Sequence, residues 1–336
     1  MTAETPQNPG PSATENPSST SIVDRRRILS ATALGATAVA ASGMLAAGTA
    51  AAQTPKANGE LSGKTAFVTG GARGIGLACG EAFAAAGANV ALFDIATPRL
   101  PELDYRLSSE ADLARAKQRI EAHGVHCLTF KGDVRDLDAQ KKAMQQTVSQ
   151  LGGLDIVVVN AGVAQAGAIE EFSSDEVSIV LDVNVVGAVK TTQAAAPIMT
   201  SRGGGRIIFV SSALGRTANA LFPIYGPSKW AMIGFAKAAA LTYGPYNILC
   251  NVVAPGLVDT PFANNPAVLS KMMPGEANPT FKAVSDMVSG GNPLGVGHLE
   301  PEDVAKAVML FAGDATAKVS GEVFDVSYGS LANTMA

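Results

Sequence analysis

The chain has 336 residues, 47% of them hydrophobic and 16% charged, so it can bury the core of one large domain or two small ones. The formal net charge of −4 and the scattered lysines and arginines predict that nucleic acid is not a partner. Cys79, Cys127 and Cys250 lie in separate apolar stretches, and the histidines lack the spacing of zinc ligands, so we expect neither a disulfide framework nor a metal.

Residues 1–52 have the pattern of an export signal. Residues 1–21 are rich in Pro, Ser, Thr and Asn, and we expect them to be disordered because they have few large apolar side chains to bury. Arg25, Arg26 and Arg27 then precede an uncharged run over 30–52 that is rich in small residues and ends in alanines. This order predicts a twin-arginine-type signal peptide that is cleaved after Ala52.

The leader predicts a periplasmic or other extracytoplasmic protein, with no stable membrane insertion after cleavage. Two alternatives stay open. The run over 30–52 is about long enough for an uncleaved membrane anchor, although it is poor in Leu, Ile and Phe. Alternatively, the start codon is placed too far upstream and the protein is cytoplasmic. After the leader we predict a linker over 53–60, and a tail over 331–336.

Between linker and tail, apolar runs of strand length alternate with longer segments of helical periodicity. Helices are predicted over 74–86 and 109–123, the second opened by Ser109 with Asp112 three residues later, a capping pattern. Repeated strand–helix units predict one α/β domain over 61–330, with a Rossmann-type, doubly wound sheet of seven parallel strands and helices on both faces. The strands are predicted over 64–69, 89–94, 126–131, 154–160, 206–211, 248–254 and 323–326.

Two connections in this domain are longer than the usual length of about two to six residues. The segment over 96–108 follows the second strand, and the segment over 261–297 follows the sixth. Long segments at the carboxyl ends of parallel strands hold ligands, so we predict a substrate loop at about 260–297; surface loops without a role are the alternative. The larger segment contains the apolar side chains Phe262, Met272, Met273, Phe281 and Met287.

A glycine-rich turn over 69–76 directly follows the first strand and opens the first helix. Gly70 permits a tight turn, Gly74 lets the backbone approach a pyrophosphate, and Gly76 lets helix and strand pack closely. Because the N-terminus of a helix attracts phosphate groups, this turn predicts a dinucleotide site.

Asp94 and Arg73 bear on which dinucleotide binds. Asp94 ends the second strand, where its carboxylate can accept hydrogen bonds from the adenosine ribose hydroxyls and would repel a 2′-phosphate. Arg73 argues the other way, because a basic side chain beside the phosphates could bind a 2′-phosphate. We predict NAD as the cofactor, with NADP as the less favoured alternative.

Tyr225 and Lys229 begin a helical stretch four residues apart, so they lie on one face of one turn. A free phenol has a pKa of about 10, too high for a base at neutral pH, and a nearby cation stabilises the phenolate. The pair therefore predicts a tyrosine general acid/base assisted by a lysine. A surface pair without a role is the alternative.

With these motifs the chain resembles the short-chain dehydrogenase/reductase family over residues 61–329. The resemblance implies an NAD(P)-dependent oxidoreductase that interconverts a secondary alcohol and a ketone by hydride transfer, with a Tyr/Lys/Ser/Asn active site. Further family motifs stand in family order: Asp133 in Gly-Asp-Val, Asn160-Ala161-Gly162, Asn184 in Asn-Val-Val-Gly, Ser212 before Tyr225, and Pro255-Gly256 followed by Thr260.

The resemblance also implies a role for each position. Tyr225 would be the general acid/base, and Lys229 would hold the nicotinamide ribose and lower the tyrosine pKa. Ser212 would bind the substrate oxygen, with Ser211 as the less favoured alternative, and Asn184 would hold a water that links Lys229 to solvent. Asp133 and Val134 would contact the adenine, and Thr260 the carboxamide. The other cofactor contacts would come from Gly70, Arg73, Gly74, Ile75, Gly76, Asp94, Ile95, Asn160, Ala161, Gly162, Tyr225, Lys229, Pro255, Gly256 and Val258.

The Met- and Phe-rich segment over 261–297 predicts an apolar alcohol or ketone substrate. An epimerase or dehydratase of the same fold and a non-catalytic redox sensor are the alternatives. The connection after Asp94 and the stretch over 299–303 are similar to actinobacterial dehydrogenases of the carveol dehydrogenase type, which hold NAD tightly and pass electrons to another carrier. That similarity implies a bound cofactor and an external electron acceptor, and the family implies a homotetramer or homodimer.

Overall fold

The computed structural model of the protein describes residues 59–332, and within them seven strands form one sheet. The predicted leader over 1–52 and most of the predicted linker and tail lie outside the described residues. The strands are β1 (Thr65–Thr69), β2 (Asn89–Asp94), β3 (Cys127–Lys131), β4 (Ile156–Val159), β5 (Gly205–Val210), β6 (Ile248–Pro255) and β7 (Val323–Val326).

All neighbouring strands pair in parallel, in the order β3-β2-β1-β4-β5-β6-β7. The predicted doubly wound sheet of seven parallel strands is therefore confirmed. Strand β4 is shorter than the predicted range 154–160. It ends at Val159 because the amide of Asn160 donates to the Thr69 hydroxyl at 3.0 Å, which takes the chain out of the sheet.

Helix α2 begins at Glu110 behind the predicted capping pair. The Ser109 hydroxyl accepts a hydrogen bond from the Asp112 amide at 3.3 Å, and the Asp112 carboxylate accepts one from the Ser109 amide at 2.8 Å. Helix α1 ends at Ala85, one residue before the predicted end. The helices are α1 (Gly74–Ala85), α2 (Glu110–Glu121), α3 (Leu137–Leu151), α4 (Ser174–Leu181), α5 (Gly187–Ser201), α6 (Tyr225–Tyr243), α7 (Pro266–Met272), α8 (Phe281–Ser289) and α9 (Pro301–Ala312).

Alternate residues of the central strands are buried on opposite faces of the sheet. Ala66 and Val68 of β1 pack in one core with α1, α2 and α9, whereas Phe67 packs in a second core with α3, α5 and α6. Because side chains alternate along a strand, a strand covered by helices on both faces must be apolar throughout. The predicted helices on both faces are confirmed.

The sheet grows in opposite directions from β1 and β4, since β2 and β3 lie on one side and β5 to β7 on the other. At such a switch point the connections diverge and leave a crevice at the carboxyl ends of the strands. The long segments over 96–108 and 261–297 leave the sheet at this edge. Within residues 59–332, no helix is both long enough and apolar enough to cross a membrane.

The segment over 261–297 is more ordered than the predicted loop, because it contains α7 and α8. Its residues Leu269, Phe281 and Val284 form a small apolar cluster of their own. Asn265 caps α7 through a hydrogen bond that its side chain accepts from the Val268 amide at 3.0 Å. The segment is thus a helical subdomain packed over the carboxyl edge of the sheet.

Candidate functional site

A cavity of about 600 Å³ lies at the carboxyl edge of the sheet, between the glycine turn after β1 and the two long segments. It brings together most of the residues predicted for the cofactor and the chemistry. Gly76 and Asn184 do not line it. The predicted residues that do are Gly70, Arg73, Gly74, Ile75, Asp94, Ile95, Asp133, Val134, Asn160, Ala161, Gly162, Ser211, Ser212, Tyr225, Lys229, Pro255, Gly256, Val258 and Thr260.

The glycine turn has the shape of a cradle. Gly74 has φ of +55°, a left-handed conformation that side chains disfavour, and a Cβ on Gly76 would lie 2.1 Å from the carbonyl oxygen of Gly70. The side-chain amide of Asn160 holds the turn by donating to the Gly70 carbonyl at 3.2 Å. Helix α1 begins at Gly74 without a side-chain cap, so its first amides are available to an anion. This arrangement fits a pyrophosphate.

The Asp94 carboxylate already accepts three hydrogen bonds from the protein itself. One carboxylate oxygen accepts a hydrogen bond from the Ala72 amide at 2.9 Å, and the other accepts from the Ala96 amide at 3.0 Å and from the Ser108 hydroxyl. A carboxylate has about four acceptor positions, so about one remains for a ribose hydroxyl. Ala96 has φ of +44°, which is unfavourable for a residue with a Cβ and turns its amide towards Asp94. Both ends of the 96–108 segment are thus tied to one carboxylate.

Arg73 is directed into the 96–108 segment. Its guanidinium donates to the carbonyl of Arg106 at 2.9 Å. Burial lowers the pKa of Arg73, and the nearby Asp94 carboxylate acts in the opposite direction. A guanidinium held in this way, beside a buried carboxylate, is poorly placed to select a 2′-phosphate, so the geometry favours NAD over NADP.

Asp133 and Arg135 form an ion pair at the adenine side of the cavity. The guanidinium of Arg135 donates to the Asp133 carboxylate at 2.7 Å and 2.9 Å, and this contact raises the pKa of Arg135. The Asp133 carboxylate also accepts a hydrogen bond from the Arg135 amide at 2.8 Å. Because the carboxylate is already paired, contact with an adenine would come from what remains of its acceptor capacity and from the neighbouring Val134.

Tyr225 and Lys229 occupy the first turn of α6, with Lys229 Nζ 5.6 Å from the centroid of the Tyr225 ring. Lys229 is buried, and its ammonium donates to the carbonyl of Val210 at 2.9 Å. Burial lowers the pKa of Lys229 to about 8. Burial also raises the pKa of Tyr225 to about 12, against the opposing effect of a hydrogen bond with the Ser212 side chain. Burial therefore has the largest effect on the Tyr225 pKa, and the effect that opposes it comes from Ser212.

Ser212 and Asn184 are held by the backbone around them. Ser212 follows β5, and its hydroxyl accepts a hydrogen bond from the Leu214 amide at 3.1 Å. Asn184 lies in a wide helical turn, Asp182–Val186, that joins α4 and α5. Its side chain accepts from the Val163 amide at 2.8 Å and donates to the Val163 carbonyl at 2.9 Å. Asn184 therefore does not line the cavity but holds Val163, which does.

An aromatic cluster surrounds the catalytic tyrosine. The ring centroids of Phe222 and Phe262 lie 6.0 Å and 5.8 Å from that of Tyr225. Phe262 also contacts Tyr105 at 6.2 Å, and the Tyr105 oxygen accepts a hydrogen bond from the Ala164 amide at 3.1 Å. The 96–108 segment thus reaches from Asp94 to the substrate side of the cavity.

Several residues of the site carried no recognisable signal in the sequence. Ser108 and Tyr105 lie in the connection after Asp94, whose length and similarity to carveol dehydrogenase-type enzymes assigned no role to either side chain, and Phe222 lies between two motifs. Residues 257, 272 and 331 add further apolar contacts to the lining. Phe262 next to Tyr225 is an apolar side chain of the 261–297 segment, as the composition of that segment predicted for the substrate side. Phe222 and Tyr105, the other aromatic side chains of the cluster, come from other parts of the chain.

Comparison with known proteins agrees with this geometry. The sequence model of the short chain dehydrogenase family matches residues 64–267. The crystal structure of carveol dehydrogenase from Mycobacterium avium in complex with NAD is similar, with a TM-score of 0.79 and 32% sequence identity, and the match covers 82% of this chain and 100% of that one. A short chain dehydrogenase from Mycobacterium paratuberculosis bound to NAD has a TM-score of 0.74 and 35% identity, over 81% and 99% of the two chains. D-beta-hydroxybutyrate dehydrogenase from Cupriavidus necator is 30% identical over 81% of this chain and 99% of its own length.

Proposed function

Because the chain belongs to the short-chain dehydrogenase family, we propose that it is an NAD-dependent oxidoreductase that interconverts an apolar secondary alcohol and its ketone. The observation that supports this most directly is the meeting of Tyr225, Lys229 and Ser212 in the cavity that also contains the glycine turn and Asp94. A fold that only bound a dinucleotide would have no need of that acid/base group.

When bound, NAD supplies the acceptor for the hydride, and this chain's residues bind and orient it. The first amides of α1, at Gly74 and Ile75, would hold the pyrophosphate, and the remaining acceptor position of Asp94 would hold an adenosine ribose hydroxyl. Thr260, whose methyl group would lie 3.2 Å from a Cβ on Gly74, packs against the glycine turn and lines the cavity beside it.

Tyr225 takes the hydroxyl proton of the alcohol as the C–H bond breaks, and it returns a proton to the oxygen in the reverse reaction. The hydroxyl of Ser212 holds the same oxygen in place. Burial raises the pKa of Tyr225 to about 12, so its phenolate depends on nearby positive charge from Lys229 and the oxidised nicotinamide ring. Alcohol oxidation should therefore accelerate, and ketone reduction slow, as the pH rises towards 8, the range in which Lys229 keeps its charge.

The substrate side of the cavity is apolar. Phe222 and Phe262 flank Tyr225, and Leu214, Leu257 and Met272 extend the same wall. Apolar lining next to a single polar cluster favours a substrate with one hydroxyl or carbonyl group on a hydrocarbon body. The carveol dehydrogenase from Mycobacterium avium, whose fold this chain shares, supports a substrate of that class.

A panel of secondary alcohols and ketones tests the proposal through the absorbance of reduced cofactor. We expect turnover of cyclic and branched apolar alcohols with NAD and little with NADP. Tyr225→Phe should abolish turnover, whereas Tyr246→Phe, which alters an exposed tyrosine just beyond α6, should not. An active Tyr225→Phe enzyme would refute the mechanism, and product isomerisation without a change in cofactor absorbance would indicate an epimerase.

We also propose that residues 1–52 export the folded protein by a twin-arginine route and that the cofactor travels with it. The support is the order of basic, weakly apolar and small residues in the leader, together with the 96–108 segment, whose ends are tied to Asp94. An enzyme that keeps its cofactor needs an external electron acceptor. Cell fractionation of the Arg26→Lys, Arg27→Lys variant tests the export. Mass spectrometry of protein purified without added NAD tests the retention.

We propose further that the protein forms a homo-oligomer through α6. Trp230 and Leu241 of α6 are exposed, Leu241 to 83%, although both are large apolar side chains. Exposed apolar residues on one long helix favour contact with a second copy of the chain. Light scattering coupled to size-exclusion chromatography would measure the state, and Leu241→Lys should shift it towards the monomer.

A further inference from the structure

Ser228 lies between the catalytic residues of α6, and the reaction described above gives it no role. It is fully buried. Its hydroxyl donates to the carbonyl of Tyr225 at 2.6 Å and accepts a hydrogen bond from the side-chain amide of Asn184 at 2.9 Å. Ser228 therefore links the first turn of α6 to the wide turn that holds Asn184.

The Asn184 amide uses both of its N–H donors and one of the two acceptor positions of its oxygen. Its oxygen accepts from the Val163 amide at 2.8 Å, and its nitrogen donates both to the Val163 carbonyl at 2.9 Å and to Ser228. Buried polar groups that are satisfied in this way resist displacement, because breaking one bond leaves a donor without a partner. One continuous chain of hydrogen bonds thus runs from the loop after β4, through Asn184 and Ser228, to Tyr225.

This chain of hydrogen bonds passes close to Lys229 at Gly162, which lines the cavity. A Cβ on Gly162, the neighbour of Val163, would lie 3.2 Å from the Asn184 side-chain oxygen and 3.5 Å from Lys229 Nζ. The lysine ammonium and the asparagine amide therefore approach the same glycine from two different elements. A shift of α6 relative to the Asn184 turn would change the distance between Lys229 Nζ and Gly162 and would move the Tyr225 hydroxyl.

We propose that Ser228 is a positioning residue that sets the register between the Tyr225–Lys229 pair and the cofactor-lining loop at Gly162 and Val163. The inference rests on the proposed acid/base role of Tyr225. Ser228 does not touch the substrate; it acts by holding Asn184 and the Tyr225 carbonyl together. Loss of its hydroxyl leaves an Asn184 donor unsatisfied and frees the first turn of α6 to move, so the phenolate receives less stabilisation from Lys229.

The test compares Ser228→Ala with the wild type in alcohol oxidation as a function of pH. We expect kcat to fall about tenfold while KM for NAD and alcohol changes less than about twofold, because the chemical step and not binding is affected. The acid limb of the kcat profile should move to higher pH by about one unit, because the phenolate is less stabilised. Ser228→Thr keeps the hydroxyl and should keep the wild-type acid limb even where its extra methyl lowers Tm.

Thr191→Val is the matched control. Thr191 is also buried, and its hydroxyl donates to the Gly187 carbonyl at 2.9 Å in α5, away from the cavity. It should lose stability without a shift of the acid limb. An unshifted limb in Ser228→Ala beside an inactive Tyr225→Phe would overturn this inference alone. Full activity in Tyr225→Phe would overturn the proposed function and this inference with it.

Discussion

Replacing Lys229 by methionine should abolish alcohol oxidation and at the same time stabilise the fold near neutral pH. Lys229 is only 3% exposed, and burial lowers its pKa from 10.5 to about 8. This difference corresponds to a destabilisation of about 3 kcal/mol by the charged side chain. Methionine also removes the hydrogen bond from Nζ to the Val210 carbonyl at 2.9 Å, a loss of about 1 kcal/mol. The net gain in the free energy of unfolding is about 2 kcal/mol.

The gain depends on pH in a defined direction. Below pH 8 the folded and unfolded chains both hold the Lys229 proton, and the full penalty applies. Between pH 8 and pH 10.5 the unfolded chain binds more protons than the folded one, so wild-type stability rises with pH through this group. The advantage of Lys229→Met should therefore shrink across this window.

Urea unfolding of protein freed of NAD, followed by circular dichroism at several pH values, measures the difference. Lys237→Met is the matched control, because Lys237 lies on the same helix and donates to the Gly321 carbonyl at 3.0 Å but is exposed. It should be active and should show no gain. A Lys229→Met protein less stable than the wild type near neutral pH, or an advantage that does not change with pH, would refute the reasoning.

Three further substitutions test the cofactor and substrate sides of the cavity. Gly76→Ala places a Cβ 2.1 Å from the Gly70 carbonyl oxygen, so the turn must shift, and calorimetry should show NAD affinity reduced by about tenfold or more. Ser108→Ala removes a donor to the Asp94 carboxylate and should lower the free energy of unfolding by about 1.5–3 kcal/mol, with faster hydrogen exchange over 97–107. Phe262→Ala removes an aromatic wall and should raise KM for apolar alcohols about tenfold; an unchanged KM would place the substrate elsewhere.

The fold could be predicted from the sequence because its signals are local. A strand such as β1 is buried on both faces, so its apolar run is continuous, and the Ser109–Asp112 pair marks the start of α2 within four residues. The glycine turn and the Tyr225–Lys229 spacing are also local. Each of these motifs is contained within one short stretch of sequence, and this is why family membership followed from the motifs.

The sequence by itself thus determined the seven strands and their alternation with helices, the glycine turn for the cofactor, and the acid/base pair. The tertiary structure decided how these groups are held and charged. Ser108 reaches Asp94 across a 14-residue separation, and Asn184 reaches Ser228 across 44 residues. The pKa values of Tyr225 and Lys229 depend on how much water the packed chain excludes from them. Desolvation and contacts between distant segments arise only when the elements pack together, so no local pattern encodes them.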